Sequence, residues 1–146
     1  MVHYIENNNV LLGIIIKNNY TLEESGINFF TNDDATQQVG YMKREAGHKI
    51  IPHRHNEVKR EIYFTSEVLY IKTGIVRVDF YDEFEAYLSS FMLYEKDIVL
   101  LARGGHGFEI IETAEIIEVK QGPYVHENDK VRFTEVSNEQ IKLINI

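Results

Sequence analysis

Apolar positions along this chain come in short runs or alternate with polar ones, and no long segment repeats them at the helical period. Val10 to Ile16 is a β-branched-rich run closed by Lys17-Asn18-Asn19, a cluster that favours turns. Residues 28–30 lead into Thr31-Asn32-Asp33-Asp34, which is again turn chemistry. Gln37 to Arg44 and His48 to His55 each read as strands, the second entered through Gly47. The strongest pattern runs Glu67 to Lys72, then Thr73-Gly74, then Ile75 to Tyr81, and predicts two strands joined at a glycine turn. Beyond the polar turn 82–85 come Tyr87 to Tyr94, a turn at Glu95-Lys96-Asp97, and the continuously apolar strand Ile98 to Leu101. Arg103-Gly104-Gly105-His106-Gly107 interrupts, Phe108 to Ile111 resumes, and Glu115 to Lys120 forms a last strand ended by Gln121-Gly122-Pro123.

Strands recurring every 8–12 residues or so, with turns between them, predict an all-β fold, an antiparallel sandwich or barrel. One short helix near Ser137 to Leu143 is the most helix that the pattern allows. With 146 residues the chain reads as a single domain, 1–146, with a core over 37–120, an N-terminal extension 1–36 and a C-terminal extension 121–146. The strand Val10 to Ile16 is unusually apolar for an extension and invites pairing with a sheet edge, its own or a second subunit's. A homodimer is the expected state.

Composition narrows the function classes. Fifteen basic and 23 acidic residues leave a formal charge of -8, which argues against a nucleic-acid or anionic-membrane surface. The absence of cysteine excludes disulfides, thiolate nucleophiles and Cys-ligated metals. No basic leader precedes the first apolar run, and that run is too short to span a bilayer, so a cytoplasmic protein is expected.

Candidate chemistry starts at Ile50-Ile51-Pro52-His53-Arg54-His55. On a strand, residues two apart share a face, so His53 and His55 would project together and could bind one divalent ion. Glu67 heads a strand face shared with Leu69 and Ile71, and a carboxylate there is costly unless paired, protonated or metal-bound. A solvated strand end is the plainer reading. His106 stands among Gly104, Gly105 and Gly107, which could let the turn aim its imidazole at a shared point, or leave it an ordinary loop histidine. Glu118 and Lys120 face a cavity if Ile117 and Val119 pack outward, and face solvent if those two pack inward. Phe108 and Tyr124 could wall a pocket, and Lys130-Val131-Arg132 could reach over an anionic substrate, although both patterns are commoner as core and as surface. Arg77 and Asp79 alternate with Val76, Val78 and Phe80 and read as a solvated strand face.

Two of these stretches carry a family resemblance. Gly47-x5-His53-x-His55 followed by Glu67-x6-Gly74 resembles the first motif of the cupin superfamily, and Asp97 to His106 resembles the second. The resemblance spans roughly residues 45–120. It implies a small cupin barrel, a jelly roll, with His53, His55, Glu67 and His106 as metal ligands. Eleven residues separate His55 from Glu67 where the family has three or four, so Glu61 is a rival ligand; Ala102 replaces the motif's proline. Glu67 is preferred because its downstream spacing to Gly74 is intact.

Mixed nitrogen and oxygen donors accept most first-row divalent ions. Fe(II) or Mn(II) is favoured, with Zn and Ni as alternatives. The expected function is therefore a metal-binding cupin protein, an enzyme acting on a small polar metabolite. Isomerisation, epimerisation or dioxygenation would suit such a site, with Glu118 and Lys120 as the proton-transfer candidates. Short cupin-like chains with similar H-G-F-E and K-Q-G-P-Y segments suggest a sugar or sugar nucleotide of surface-polysaccharide pathways, a resemblance only. A non-catalytic metal- and ligand-binding module and a metal-free sugar isomerase or epimerase are the alternatives.

Overall fold

A computed structural model of the chain describes residues 1–126 and 129–146. The described residues form nine strands, β1 (Val2–Asn7), β2 (Val10–Ile16), β3 (Gly26–Phe29), β4 (Gly40–Lys43), β5 (Glu67–Tyr81), β6 (Tyr87–Leu93), β7 (Ile98–Leu101), β8 (Gly105–Lys120) and β9 (Leu143–Ile144), with a 3₁₀ turn at Asn138–Gln140. The all-β expectation holds. They divide into two compact units, residues 1–19 with 64–146, and residues 20–63.

The larger unit is one seven-stranded sheet in the order β1-β2-β7-β5-β6-β9, with β8 paired to β5. Every pairing is antiparallel except β6 with β9. β2 is continuously apolar because it is an interior strand, held between β1 and β7, and residues 12–16 are all buried. The pairing that its apolar run invites is met by its own sheet.

Strand β5 organises the rest. β7 pairs with its first four residues and β6 with its last six, while β8 lies along the other edge for almost its whole length. The two strands expected on either side of Thr73-Gly74 are one, and so are the two expected at 108–111 and 115–120. The register slips three times between Ile71 and Val76. These bulges change which parity faces the core: Leu69 and Ile71 are buried before them, Val76, Val78 and Phe80 after them. Gly74 sits at the bend with φ of 87°, and a Cβ there would lie 2.3 Å from the carbonyl oxygen of Thr113.

The core also takes in Ile5, Leu12, Ile15, Phe91, Leu93, Val99 and Leu101. One buried ion pair anchors its rim. Asp97 is fully buried and accepts the backbone N–H groups of Asn18 and Tyr94, each at 2.8 Å, as well as the Lys17 ammonium.

Arg77 and Asp79 are not on a solvated face. Arg77 holds Asp79 through two hydrogen bonds of 2.8 and 3.1 Å and also pairs with Glu109; Ser90, wholly buried, donates to Asp79, and Tyr87 bonds to Ser90. The chain after residue 130 covers this side. The Phe133 ring packs on Tyr81 at 5.0 Å, and the Tyr81 and Tyr87 hydroxyls accept the backbone N–H groups of Val136 and Lys142.

The smaller unit is built on the β3–β4 hairpin. Tyr20 meets Phe30 and Tyr41 edge-on at 5.2 and 5.1 Å, and the Lys43 ammonium donates to the carbonyls of Leu22 and Glu23. The strand expected at Gln37 to Arg44 is the shorter β4. The one expected at His48 to His55 does not form, and Ile51 there is 81 % exposed. Without a neighbouring strand to pair with, an extended apolar stretch gains nothing from its pattern. The helix expected near Ser137 to Leu143 is reduced to the single 3₁₀ turn. Among the described residues no helix is long and apolar enough to cross a membrane.

Candidate functional site

Antiparallel partners share a face, and the pairings define a row across the sheet: Ile5, Gly13, Leu101, Glu67 and Lys120. The next row on the same face is His3, Ile15, Val99, Leu69 and Glu118. Glu67 thus heads the core face of β5, as its spacing to Leu69 and Ile71 implies. Ser66, just before it, is pinned twice: its N–H donates to the Gln121 side chain at 2.7 Å and its hydroxyl to the Ala102 carbonyl at 3.4 Å.

His106 reaches this point from the far end of the ribbon. It is opposite Phe80, near the end of β5, whereas Glu67 begins it. A straight 15-residue strand would span about 50 Å. Yet His106 Nε2 lies 3.4 Å from the Glu67 carboxylate. The β5–β8 ribbon therefore curls until its two ends meet, and the bulges at Gly74 supply the bend. Gly104, with φ of 70°, turns the chain into β8 where a Cβ would lie 2.5 Å from the Tyr81 carbonyl oxygen.

Lys120 completes the cluster. Its ammonium is 3.6 Å from Glu67, 3.1 Å from Glu118 and 3.8 Å from Asp129. Ile117 and Val119 are more than half exposed, so Glu118 and Lys120 lie on the face opposite them, with the partly buried Ala114 and Ile116. The Phe108 ring is 5.6 Å from that of His106, and the Tyr124 ring is 5.8 Å from the Lys120 ammonium.

These contacts set the ionisation of the cluster. A hydrogen bond from His106 lowers the Glu67 pKa; partial burial opposes it, and the charges of His106, Lys120 and Lys130 assist. Glu67 is held as a carboxylate, a ligand or acceptor and not an acid. The hydrogen bond to Glu118, then the charges of Glu118, Glu67 and Asp129, raise the Lys120 pKa against a desolvation cost. Lys120 stays cationic, suited to hold negative charge on a ligand and unsuited to act as a base.

Of the six residues singled out by sequence, Glu67, His106, Glu118 and Lys120 come together on the larger unit. His53 and His55 belong to the smaller one, where both are exposed and their rings lie 5.5 Å apart. Nδ1 of His53 donates to the Ile51 carbonyl at 2.8 Å, which leaves Nε2 with its lone pair. The rival Glu61 is exposed and takes up Lys59 at 2.9 Å and the Tyr63 hydroxyl at 3.0 Å. Among the described residues no group of three or more histidine, aspartate or glutamate side chains is gathered closely enough to hold a metal ion. Sequence reasoning missed Ser66 and Asp129: a serine before a strand and an aspartate in a loop carry no spacing signal. No family model, curated protein or solved structure matches this chain.

Proposed function

We propose that the chain is a metal-binding cupin-type protein, a small jelly-roll barrel in its larger unit, and an enzyme acting on a small polar metabolite. A sugar or sugar nucleotide of surface-polysaccharide synthesis is the substrate class the resemblance favours. The observation that carries the reading is the meeting of Glu67 with His106 and Lys120, 39 and 53 residues further along the chain, on the core face of one curled ribbon.

Glu67 and His106 offer two of the donors that a divalent ion would take. Glu67 is ionised, and its oxygen and His106 Nε2 are 3.4 Å apart, a separation open to two donors each about 2.1 Å from one ion. The resemblance adds His53 and His55 to that set. Fe(II), Mn(II), Zn or Ni would supply Lewis-acid polarisation of a carbonyl or carboxylate. Lys120 would hold negative charge on the ligand, and Glu118, 44 % exposed and hydrogen-bonded to Lys120, would move a proton.

A second reading has its own observation. The Glu67 carboxylate and the His106 imidazole lie 3.4 Å apart beside the Lys120 ammonium, and a metal-free sugar isomerase or epimerase would use a histidine and a carboxylate so placed as its acid and base.

Elemental analysis of the purified protein, its His106→Ala and its His55→Ala variants separates these readings. Stoichiometric metal in the wild type and its loss in His106→Ala supports the first, and loss in His55→Ala supports the ligand set that the resemblance implies. Absence of metal, with turnover of a sugar substrate surviving chelator, overturns the first in favour of the second. Bound metal with no turnover in a broad sugar and sugar-nucleotide screen leaves a binding module.

A further inference from the structure

The ammonium of Lys120 stands where negative charge converges. Three carboxylates reach it, Glu118 at 3.1 Å, Glu67 at 3.6 Å and Asp129 at 3.8 Å, and it lies over the Tyr124 ring at 5.8 Å. One lysine balances one of these charges and leaves the others in excess. Water screens the excess poorly at Glu67 and Asp129, whose side chains are 16 % and 13 % exposed. The aromatic face adds attraction for a cation and none for an anion. These surroundings favour a positive charge larger than that of an ammonium.

We infer that Lys120 is the resident counter-ion of the Glu67–His106 pair, and that a divalent ion must displace its ammonium to bind there. The inference rests on the metal-binding reading above and adds what gates it. Glu67 divides its two oxygens: Oε2 faces His106 Nε2 at 3.4 Å, and Oε1 faces the ammonium at 3.6 Å. An ion held between Oε2 and Nε2 would share its carboxylate with the ammonium, and two positive charges so close repel strongly where screening is weak. The flexible lysine stem lets the ammonium leave Glu67 and keep Glu118, which is 44 % exposed and opens to water. The carboxylates now converge on the lysine and not on an ion: among the described residues no three His, Asp or Glu side chains are gathered closely enough to hold one. Metal loading thus frees the ammonium from Glu67, so Lys120 is available to a negatively charged ligand only in the loaded site.

Equilibrium dialysis of the untagged protein against Mn(II) alone, and separately against Zn(II) alone, tests this. Lys120→Met removes the charge and keeps the stem, and is expected to bind at least one of these ions about tenfold more tightly than the wild type, or better. Lys120→Arg, which keeps the charge, and Lys96→Met, which removes one from a side chain 65 % exposed in a separate turn, are expected to show no gain. Because Lys120→Met leaves three carboxylates without their counter-charge, its urea midpoint is also measured with and without the ion. The ion is expected to raise that midpoint further than it raises the wild type's. A wild type that binds while Lys120→Met binds no more tightly, or an equal gain in Lys96→Met, overturns the inference alone. So does a Lys120→Met chain that stays unfolded in excess ion, since the ion then cannot take the place of the ammonium. Failure of wild type and variant alike to bind either ion overturns it together with the metal-binding reading.

Discussion

Glu67 shows how far a single residue can be read from sequence. Its place at the head of an apolar face made it costly in isolation, and that cost is met by His106 and Lys120. Because the fold lowers its pKa, the ionised form is favoured in the native state. The stability this adds is present above the ordinary carboxylate range and is lost as pH falls through that range toward the lowered value. Metal-stripped Glu67→Gln should therefore have a lower urea midpoint than the metal-stripped wild type at pH 7, and the gap should shrink on acidification to pH 3.5. An unchanged gap would mean that the carboxylate is not what His106 and Lys120 stabilise. Asp97 offers a harsher case. Asp97→Ala leaves the Lys17 ammonium, itself only 10 % exposed, with the Met92 carbonyl at 3.3 Å but no counter-charge, and strands two backbone N–H groups. The expected loss is about 3–5 kcal/mol in chemical denaturation. Lys17→Met should cost less, because the carboxylate keeps its two backbone donors. Asp97 was visible in sequence only as a turn residue in a motif; its burial depends on Lys17 and Asn18, eighty residues away, which no local pattern announces.

At the scale of elements, the β5–β8 ribbon was legible in composition and misread in connectivity. A period-two pattern that switches from odd to even positions looks like one strand ending and another beginning, with Thr73-Gly74 as the turn. Bulges make the same switch without ending the strand, and they also make the bend that brings His106 back to Glu67. Gly74→Ala tests this directly. It places a Cβ 2.3 Å from the Thr113 carbonyl and forces a side chain into left-handed backbone, for an expected loss of about 2–4 kcal/mol. Gly122→Ala, where a Cβ meets nothing within 4 Å, should be close to neutral and serves as the control. Equal urea midpoints for the two variants would refute the account of the bend. The strand expected at His48 to His55 failed for the opposite reason. Its pattern was adequate, but a strand is stable only beside another, and pairing partners are a property of the fold.

For the whole molecule, the chain after residue 130 is what turns a two-faced sheet into a covered one. Arg77 and Asp79 alternate with core residues just as a solvated face would, and only residues some fifty positions downstream show that this side is closed. Phe133 is the contact most closely tied to the candidate site, because its ring lies against Gly105, the residue before His106. A Phe133→Ala change removes that ring and its stacking on Tyr81. Phe133 is only half-buried, so the loss should fall near 2 kcal/mol, below the range for a fully buried ring. The more telling effect is local. Gly105 and His106 begin the stretch of β8 that pairs with Tyr81 and Phe80, and loosening Phe133 should let this end fray while the Glu67 end stays paired. Hydrogen exchange would then be faster at residues 105–107 and unchanged at 116–118 under native conditions, where local opening and global unfolding separate. Uniform acceleration along β8 would instead mean that Phe133 stabilises the sheet as a whole and does nothing particular for the turn that carries His106.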